Sequence, residues 1–87
     1  MSRSINLVYF AWVRERLGLD QEMISLRDEV ETIGDVVAIL KARGAAYAEV
    51  LSDSEKLRFA LDQDYATVGS TIGSAKELAI FPPVTGG

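Results

Sequence analysis

Thr32-Ile33-Gly34-Asp35-Val36-Val37-Ala38-Ile39-Leu40, residues 32–40, is the stretch on which the fold turns. Thr32 and Asp35 stand at the spacing at which a hydroxyl caps a helix and an acid three residues later bonds back, with Asp in place of the longer-reaching Glu. Ile33, Val36, Val37 and Leu40 then recur at the i, i+3, i+4, i+7 spacing that lays one apolar stripe along a helix. Gly44 sits where a C-terminal cap is expected. A helix with a single apolar stripe needs a partner layer, which strands in the flanking sequence would supply.

On the N-terminal side, Ile5 to Ala11 are β-formers, with Ile5, Leu7 and Tyr9 on one face and Val8 and Phe10 on the other. Apolar residues on both sides predict a central strand with both faces covered. Trp12 to Leu17 is helix-tolerant and stops at Gly18, a left-handed cap on a short helical turn. Glu22 to Leu26 reads as a second strand paired to the first in a hairpin-like way, through a loop too long for a tight turn. On the C-terminal side, Ala45 to Leu51 suits a second short helix and Ser52 to Lys56 a polar break. Leu57, Phe59 and Leu61 alternate with Arg58, Ala60 and Asp62, the clearest strand in the chain. Asp62 to Asp64 is a turn, Tyr65 to Val68 pairs back briefly, and Gly69 to Ser74 is a loop. The last strand runs from Glu77 to Phe81, with Leu78 and Ile80 facing one way and Ala79 and Phe81 the other. Strand, strand, helix, strand, strand predicts an α+β domain, a β-grasp mixed sheet with one main helix on one face. The predicted domain covers residues 1–81, and residues 82–87 form an extended C-terminal tail.

Composition narrows the function. The chain has 87 residues, 48% hydrophobic and 25% charged, which suits one folded domain. A net charge of −4 with no Lys/Arg cluster argues against nucleic acid and anionic membranes as partners. Without Cys there is no disulfide, thiolate metal site or cysteine nucleophile, and without His the commonest general base and metal ligand are missing. The Asp and Glu side chains are scattered, with no pair placed for acid/base catalysis or for a metal. No apolar run approaches the ~20 residues of a membrane span and no leader pattern opens the chain, so a cytoplasmic protein is expected.

Chemistry concentrates in Phe81-Pro82-Pro83-Val84-Thr85-Gly86-Gly87. The prolines hold φ near −65° and favour an extended path, which stiffens the root of the tail. Gly86 and Gly87 lack Cβ atoms, so their backbone fits a channel too narrow for side chains. Six residues at about 3.3 Å each span roughly 20 Å, enough to carry a terminal carboxylate into another protein's active site. A carboxylate is a poor electrophile, and the chain has no G-x-x-x-x-G-K-[ST] phosphate loop. Activation therefore has to come from a partner, and the chain is expected to bind no cofactor itself.

The ending FPPVTGG, the early segment Phe10-Ala11-Trp12-Val13-Arg14-Glu15 and the length resemble the small subunit of molybdopterin synthase, the MoaD type of ubiquitin-like sulfur carrier in the MoaD/ThiS family. The resemblance implies that Gly87 is adenylated by a MoeB-type enzyme using ATP and converted to a thiocarboxylate by a sulfur donor. It further implies insertion of the tail into the large, MoaE-type subunit, where the sulfur builds the dithiolene of molybdopterin on cyclic pyranopterin monophosphate. On this sequence Gly87 would bear the sulfur and Gly86 would thread the channel. Phe81 would belong to the hydrophobic contact, Pro82, Pro83, Val84 and Thr85 would follow it into the partner, Tyr65 would add to the patch, and Arg14 matches the arginine of the family's early segment. The family forms a heterotetramer of two carriers on a dimeric large subunit, and the carrier has no turnover by itself. Two features depart from the family: Asp62 stands where relatives often carry Asn, and Ser74-Ala75-Lys76-Glu77 replaces the usual Gly-Asp-Glu turn.

Other readings stay open at this level. Gly86 and Gly87 fit an inert end, Arg14 a solvated helix charge, and Phe81 and Tyr65 edge residues of the core, while Trp12 reads as packing. A carrier for thiamine thiazole or cysteine synthesis, a ubiquitin-like modifier joined through Gly87 to lysines, and an interaction domain with an idle tail all share the ending.

Overall fold

The computed structural model describes residues 3–52 and 56–83. Strand β1 (Arg3–Tyr9) leads through helix α1 (Ala11–Leu17) to strand β2 (Gln21–Leu26), and the two strands pair antiparallel with Ile5 opposite Ile24. Helices α2 (Ile33–Lys41) and α3 (Ala45–Leu51) follow, then the hairpin of β3 (Arg58–Leu61) and β4 (Asp64–Ala66). Strand β5 (Glu77–Phe81) enters between β1 and β3, parallel to the first and antiparallel to the second. The sheet order is β2-β1-β5-β3-β4, a mixed sheet with its helices on one face. This is the expected β-grasp arrangement. The tail residues Val84, Thr85, Gly86 and Gly87, and part of the polar break after α3, lie outside the described residues.

One core holds the layers together. Val13, Ile33, Val36, Leu40 and Leu51 of the helices meet Ile5, Leu7, Tyr9, Leu26, Leu78 and Ile80 of the sheet, all almost fully buried. Each such Leu or Ile contributes about 2 kcal/mol through apolar area removed from water. The α2 stripe lies where its spacing places it, with Ile33, Val36, Val37 and Leu40 buried.

The start of α2 is over-determined. Thr32 Oγ1 accepts from the Asp35 N–H at 3.2 Å, while Asp35 Oδ2 accepts from the N–H groups of Glu31 at 2.9 Å and Thr32 at 3.1 Å. The shorter aspartate therefore closes the capping box. The carbonyls of Ser70 and Val68 accept from Ile33 and Gly34 at 3.1 and 2.8 Å, so the loop after β4 takes up further unpaired N–H groups of the first turn. A Cβ on Gly34 would stand 3.2 Å from the Val68 oxygen, which explains glycine there.

A second polar anchor sits at the other end of the helical layer. Glu22 Oε2 accepts from the hydroxyls of Tyr9 at 2.8 Å and Tyr47 at 2.7 Å, and Arg43 Nη1 donates to Oε1 at 3.0 Å. Burial, then the bond to Glu22, pushes the Tyr9 hydroxyl far above its ordinary pKa, so it stays a donor. The group ties β1, β2 and α3 together without an unsatisfied buried side-chain atom among the described residues. Arg3 similarly donates to the carbonyls of Gly73 and Val30.

Three expectations need correction. Strand β1 ends at Tyr9, not at Ala11, because Ala11 takes φ 53° and opens α1. Its two faces are not both covered: Val8 is only partly buried and Phe10 is 46% exposed, since every helix packs on the Ile5-Leu7-Tyr9 side. Gly44 is not a left-handed cap of α2. The helix ends at Lys41 with Ala42 right-handed, the Arg43 N–H closes a turn on the Leu40 carbonyl, and Gly44, extended at φ 170°, starts α3. Gly18 does cap α1 as expected, at φ 79°, with its N–H on the Arg14 carbonyl at 2.9 Å. Trp12 is half-buried against the core, with the Arg16 guanidinium 5.0 Å from its ring.

The β3–β4 hairpin turns on two left-handed residues, Asp62 at φ 48° and Gln63 at φ 75°, and the Asp62 carboxylate accepts from the N–H groups of Lys76 and Glu77 at 3.0 and 3.1 Å. Two-residue hairpin loops of this hand favour Asp-Gly, because glycine has no Cβ penalty at positive φ. Gln63→Gly is therefore expected to stabilise the fold by about 1 kcal/mol, read as a higher urea midpoint at unchanged slope.

Backbone hydrogen bonds from Glu31 and Thr32 hold the Asp35 carboxyl below its ordinary pKa of 3.8. A lowered folded-state pKa stabilises the fold above the unfolded value, and that stabilisation is lost as pH falls through the folded value. The stability gap between the native chain and Asp35→Ala should thus be constant near neutrality and narrow once pH drops below 3.8, as measured by urea unfolding across that range.

Candidate functional site

The sheet face opposite the helices has no layer over it. Strand alternation places Val8, Ala79 and Ala60 side by side across β1, β5 and β3, with Tyr65 of β4 opposite Ala60. The small Ala79 and Ala60 are each 8% exposed and form a flat apolar floor. One register step toward the end of β5, Phe81 stands opposite Arg58.

Phe81 is the centre of an aromatic cluster. Its ring lies 6.4 Å from Phe10, edge on at 86°, and 6.1 Å from Tyr65, tilted by 53°. Both separations fall within the range of favourable aromatic pairs. Tyr65 is 82% exposed and Phe10 46%, so the cluster is ordered by its own ring contacts and by the strands beneath it. Phe10, Ala11, Ala79, Phe81, Pro82 and Pro83 line an apolar groove of about 440 Å³. The groove thus runs from the sheet floor onto the first two residues after β5. An exposed aromatic patch continuous with an apolar groove has the chemistry on which docking surfaces are built, a large apolar area open to solvent.

Of the residues singled out from the sequence, Phe81, Pro82, Pro83 and Tyr65 are brought together here. Phe81 and Tyr65 are therefore surface residues of the open face and not core edges. Arg14 is exposed on α1; its side chain makes no hydrogen bond or ion pair among the described residues and does not line the groove. Val84, Thr85, Gly86 and Gly87 continue the chain from Pro83 outside the described residues. Phe10 was missed as a member of the cluster. Its signal was present, because counting alternate positions from Val8 puts Phe10 on the same face, and an aromatic there has no core to enter.

No group of three or more Cys, His, Asp or Glu side chains among the described residues is placed to hold a metal ion. No helix is long and apolar enough to cross a membrane among those residues. What the described surface offers chemically is apolar and aromatic contact area, not acid/base or metal chemistry.

The ThiS family model matches residues 7–87 of the chain. The molybdopterin synthase sulfur carrier subunit of Haemophilus influenzae is 36% identical over 83 residues, covering 95% of this chain and 99% of that protein. The subunit of the same name from Dictyostelium discoideum is 33% identical over 89 residues and is matched over the full length of both. Among solved structures, SAMP1 from Haloferax volcanii superposes with a TM-score of 0.74 at 25% identity, over 98% of this chain and all of that one. A family match over nearly the whole sequence, with relatives at 33% and 36% identity matched end to end, shows that the chain belongs to the ThiS family and is a MoaD-type protein.

Proposed function

We propose that the protein is the sulfur carrier subunit of a molybdopterin synthase. The observation that carries this reading is the position of the aromatic cluster: Phe81, its central ring, is the last residue of β5, and Pro82 and Pro83 already line the docking groove. A partner seated on Phe10, Phe81 and Tyr65 thereby receives the residues that follow. The relatives named molybdopterin synthase sulfur carrier subunit support the same role.

In the proposed cycle a MoeB-type enzyme uses ATP to convert the Gly87 carboxylate to an acyl-adenylate with release of pyrophosphate. Hydrosulfide supplied by a sulfur donor then attacks the acyl carbon, the C–O bond to AMP breaks, and Gly87 is left as a thiocarboxylate with AMP released. The carrier docks through its open sheet face on the MoaE-type large subunit, in a heterotetramer of two carriers on a large-subunit dimer. Gly86 and Gly87 thread the channel, and the sulfur passes to cyclic pyranopterin monophosphate on the way to the dithiolene of molybdopterin. Val84 and Thr85 span the entrance, and Arg14 adds a charge at the edge of the partner surface. The complex is placed in the cytoplasm, where ATP is available to the activating enzyme. The chain contributes a handle and a reagent, and no bound cofactor or turnover of its own.

Removing Gly87, or adding one residue after it, is expected to abolish molybdopterin formation in a reconstituted synthase while leaving thermal unfolding unchanged. Full activity of the shortened chain would end the proposal. Intact mass after incubation with ATP, the activating enzyme and a sulfur source should show exchange of one oxygen for sulfur; abundant isopeptide conjugates in cell extracts would indicate a protein modifier instead. Phe81→Ala should weaken association with the large subunit by about 2 kcal/mol, roughly 30-fold in Kd, with the domain still folded. Calorimetric titration of the purified subunits measures this.

A further inference from the structure

The chain reverses between the two sheet faces within three residues. Tyr9 points into the core at 1% exposure, Phe10 lies on the open face at 46%, and Val13, on the first turn of α1, is back in the core at 0%. Both flanks of this reversal are pinned. The Phe10 N–H donates to the Ile80 carbonyl at 3.3 Å, which extends the β1–β5 ladder, and the Phe10 carbonyl accepts from the N–H groups of Val13 at 3.1 Å and Arg14 at 3.4 Å. Phe10 itself is extended, at φ −129° and ψ 157°. The whole change of direction therefore falls on Ala11, which takes φ 53°, a left-handed backbone that an L-residue with a Cβ adopts only when its surroundings impose it.

We infer that Ala11 is a positioning residue for the docking surface: its left-handed backbone fixes Phe10 against Phe81 and thereby completes the aromatic cluster. The inference rests on the docking role given to that cluster above. With an ordinary backbone at residue 11, the chain loses either the ladder bond that holds Phe10 beside β5 or the burial of Val13, and core burial prevails because it removes more apolar area from water. Phe10 then leaves the Phe81 ring, and the patch shrinks to Phe81 and Tyr65. Ala11 touches the groove only with a methyl group, so its effect passes through Phe10.

The test reads ring geometry and binding separately. Nuclear Overhauser contacts between the Phe10 and Phe81 rings are measured in the free protein, and Kd for the large synthase subunit is measured by titration. Ala11→Gly, which tolerates positive φ, should keep the contacts. Ala11→Val, whose β-branch opposes that backbone, should lose the contacts and raise Kd at least about tenfold. In a Phe10→Ala background the Val substitution should add less than about twofold, because the two residues act as one. A chain with D-alanine at residue 11, for which the left-handed region is preferred, should keep the contacts, and this variant decides the matter if Ala11→Val does not fold. Intact ring contacts in folded Ala11→Val, their loss in the D-alanine chain, or an undiminished Val penalty without Phe10 would overturn the inference. If the native chain shows the ring contacts but no affinity for the large subunit, the docking role falls, and the variants still decide whether Ala11 sets the cluster.

Discussion

The backbone of β1 runs parallel to that of β5, with Asn6 opposite Glu77 and Tyr9 opposite Ile80, and the Phe10 N–H carries the ladder one step further to the Ile80 carbonyl. Parallel neighbours cannot be joined by a tight turn, so the chain between them must cross over, and here that connection holds α1, β2, α2, α3 and the β3–β4 hairpin. The same pairing brings the C-terminal ends of the two strands to one edge of the sheet. Phe10, leaving β1, and Phe81, ending β5, are therefore neighbours although 70 positions separate them. Without this ladder Phe10 does not reach the Phe81 ring, and the cluster is reduced to Phe81 and Tyr65.

Division of labour between the two sheet faces follows from the short chain. Three short helices supply enough apolar surface to cover one face, and their polar ends are satisfied within that layer: the start of α2 by Thr32, Asp35 and the loop carbonyls, and the Tyr9 and Tyr47 hydroxyls by Glu22. Stability thus comes from the covered face. The opposite face is free of that duty, and its small Ala60 and Ala79 keep the floor flat while Phe10, Tyr65 and Phe81 stand at its margin. Exposed aromatics cost solubility, so three held together on an open face form the kind of patch that protein-interaction sites use.

Much of the architecture is legible in the sequence. The capping box at Thr32 and Asp35, the α2 stripe, the left-handed Gly18 and the alternation of Leu78 and Ile80 against Ala79 and Phe81 all stand as their local patterns predict. Each depends on neighbours within about one or two helical turns or strand repeats, where periodicity and cap chemistry act. Gly44 failed as a cap because the turn after α2 was closed first by Arg43 on Leu40, a choice between two local solutions that glycine's permissiveness does not settle. The expectation that both faces of β1 are covered failed because apolar residues on two sides look alike whether the second side meets core or a partner protein.

By itself the sequence determined most of the elements and their inward faces, since these follow from side-chain period and capping groups. Tertiary structure alone decided that Phe10, Phe81 and Tyr65 form one cluster and that Ala11 bears the left-handed bend between them. The physical reason is that Phe10 and its bend depend on the parallel register of β1 with β5, and Tyr65 on the pairing of β3 with β5, contacts between segments far apart in the chain that no local pattern records.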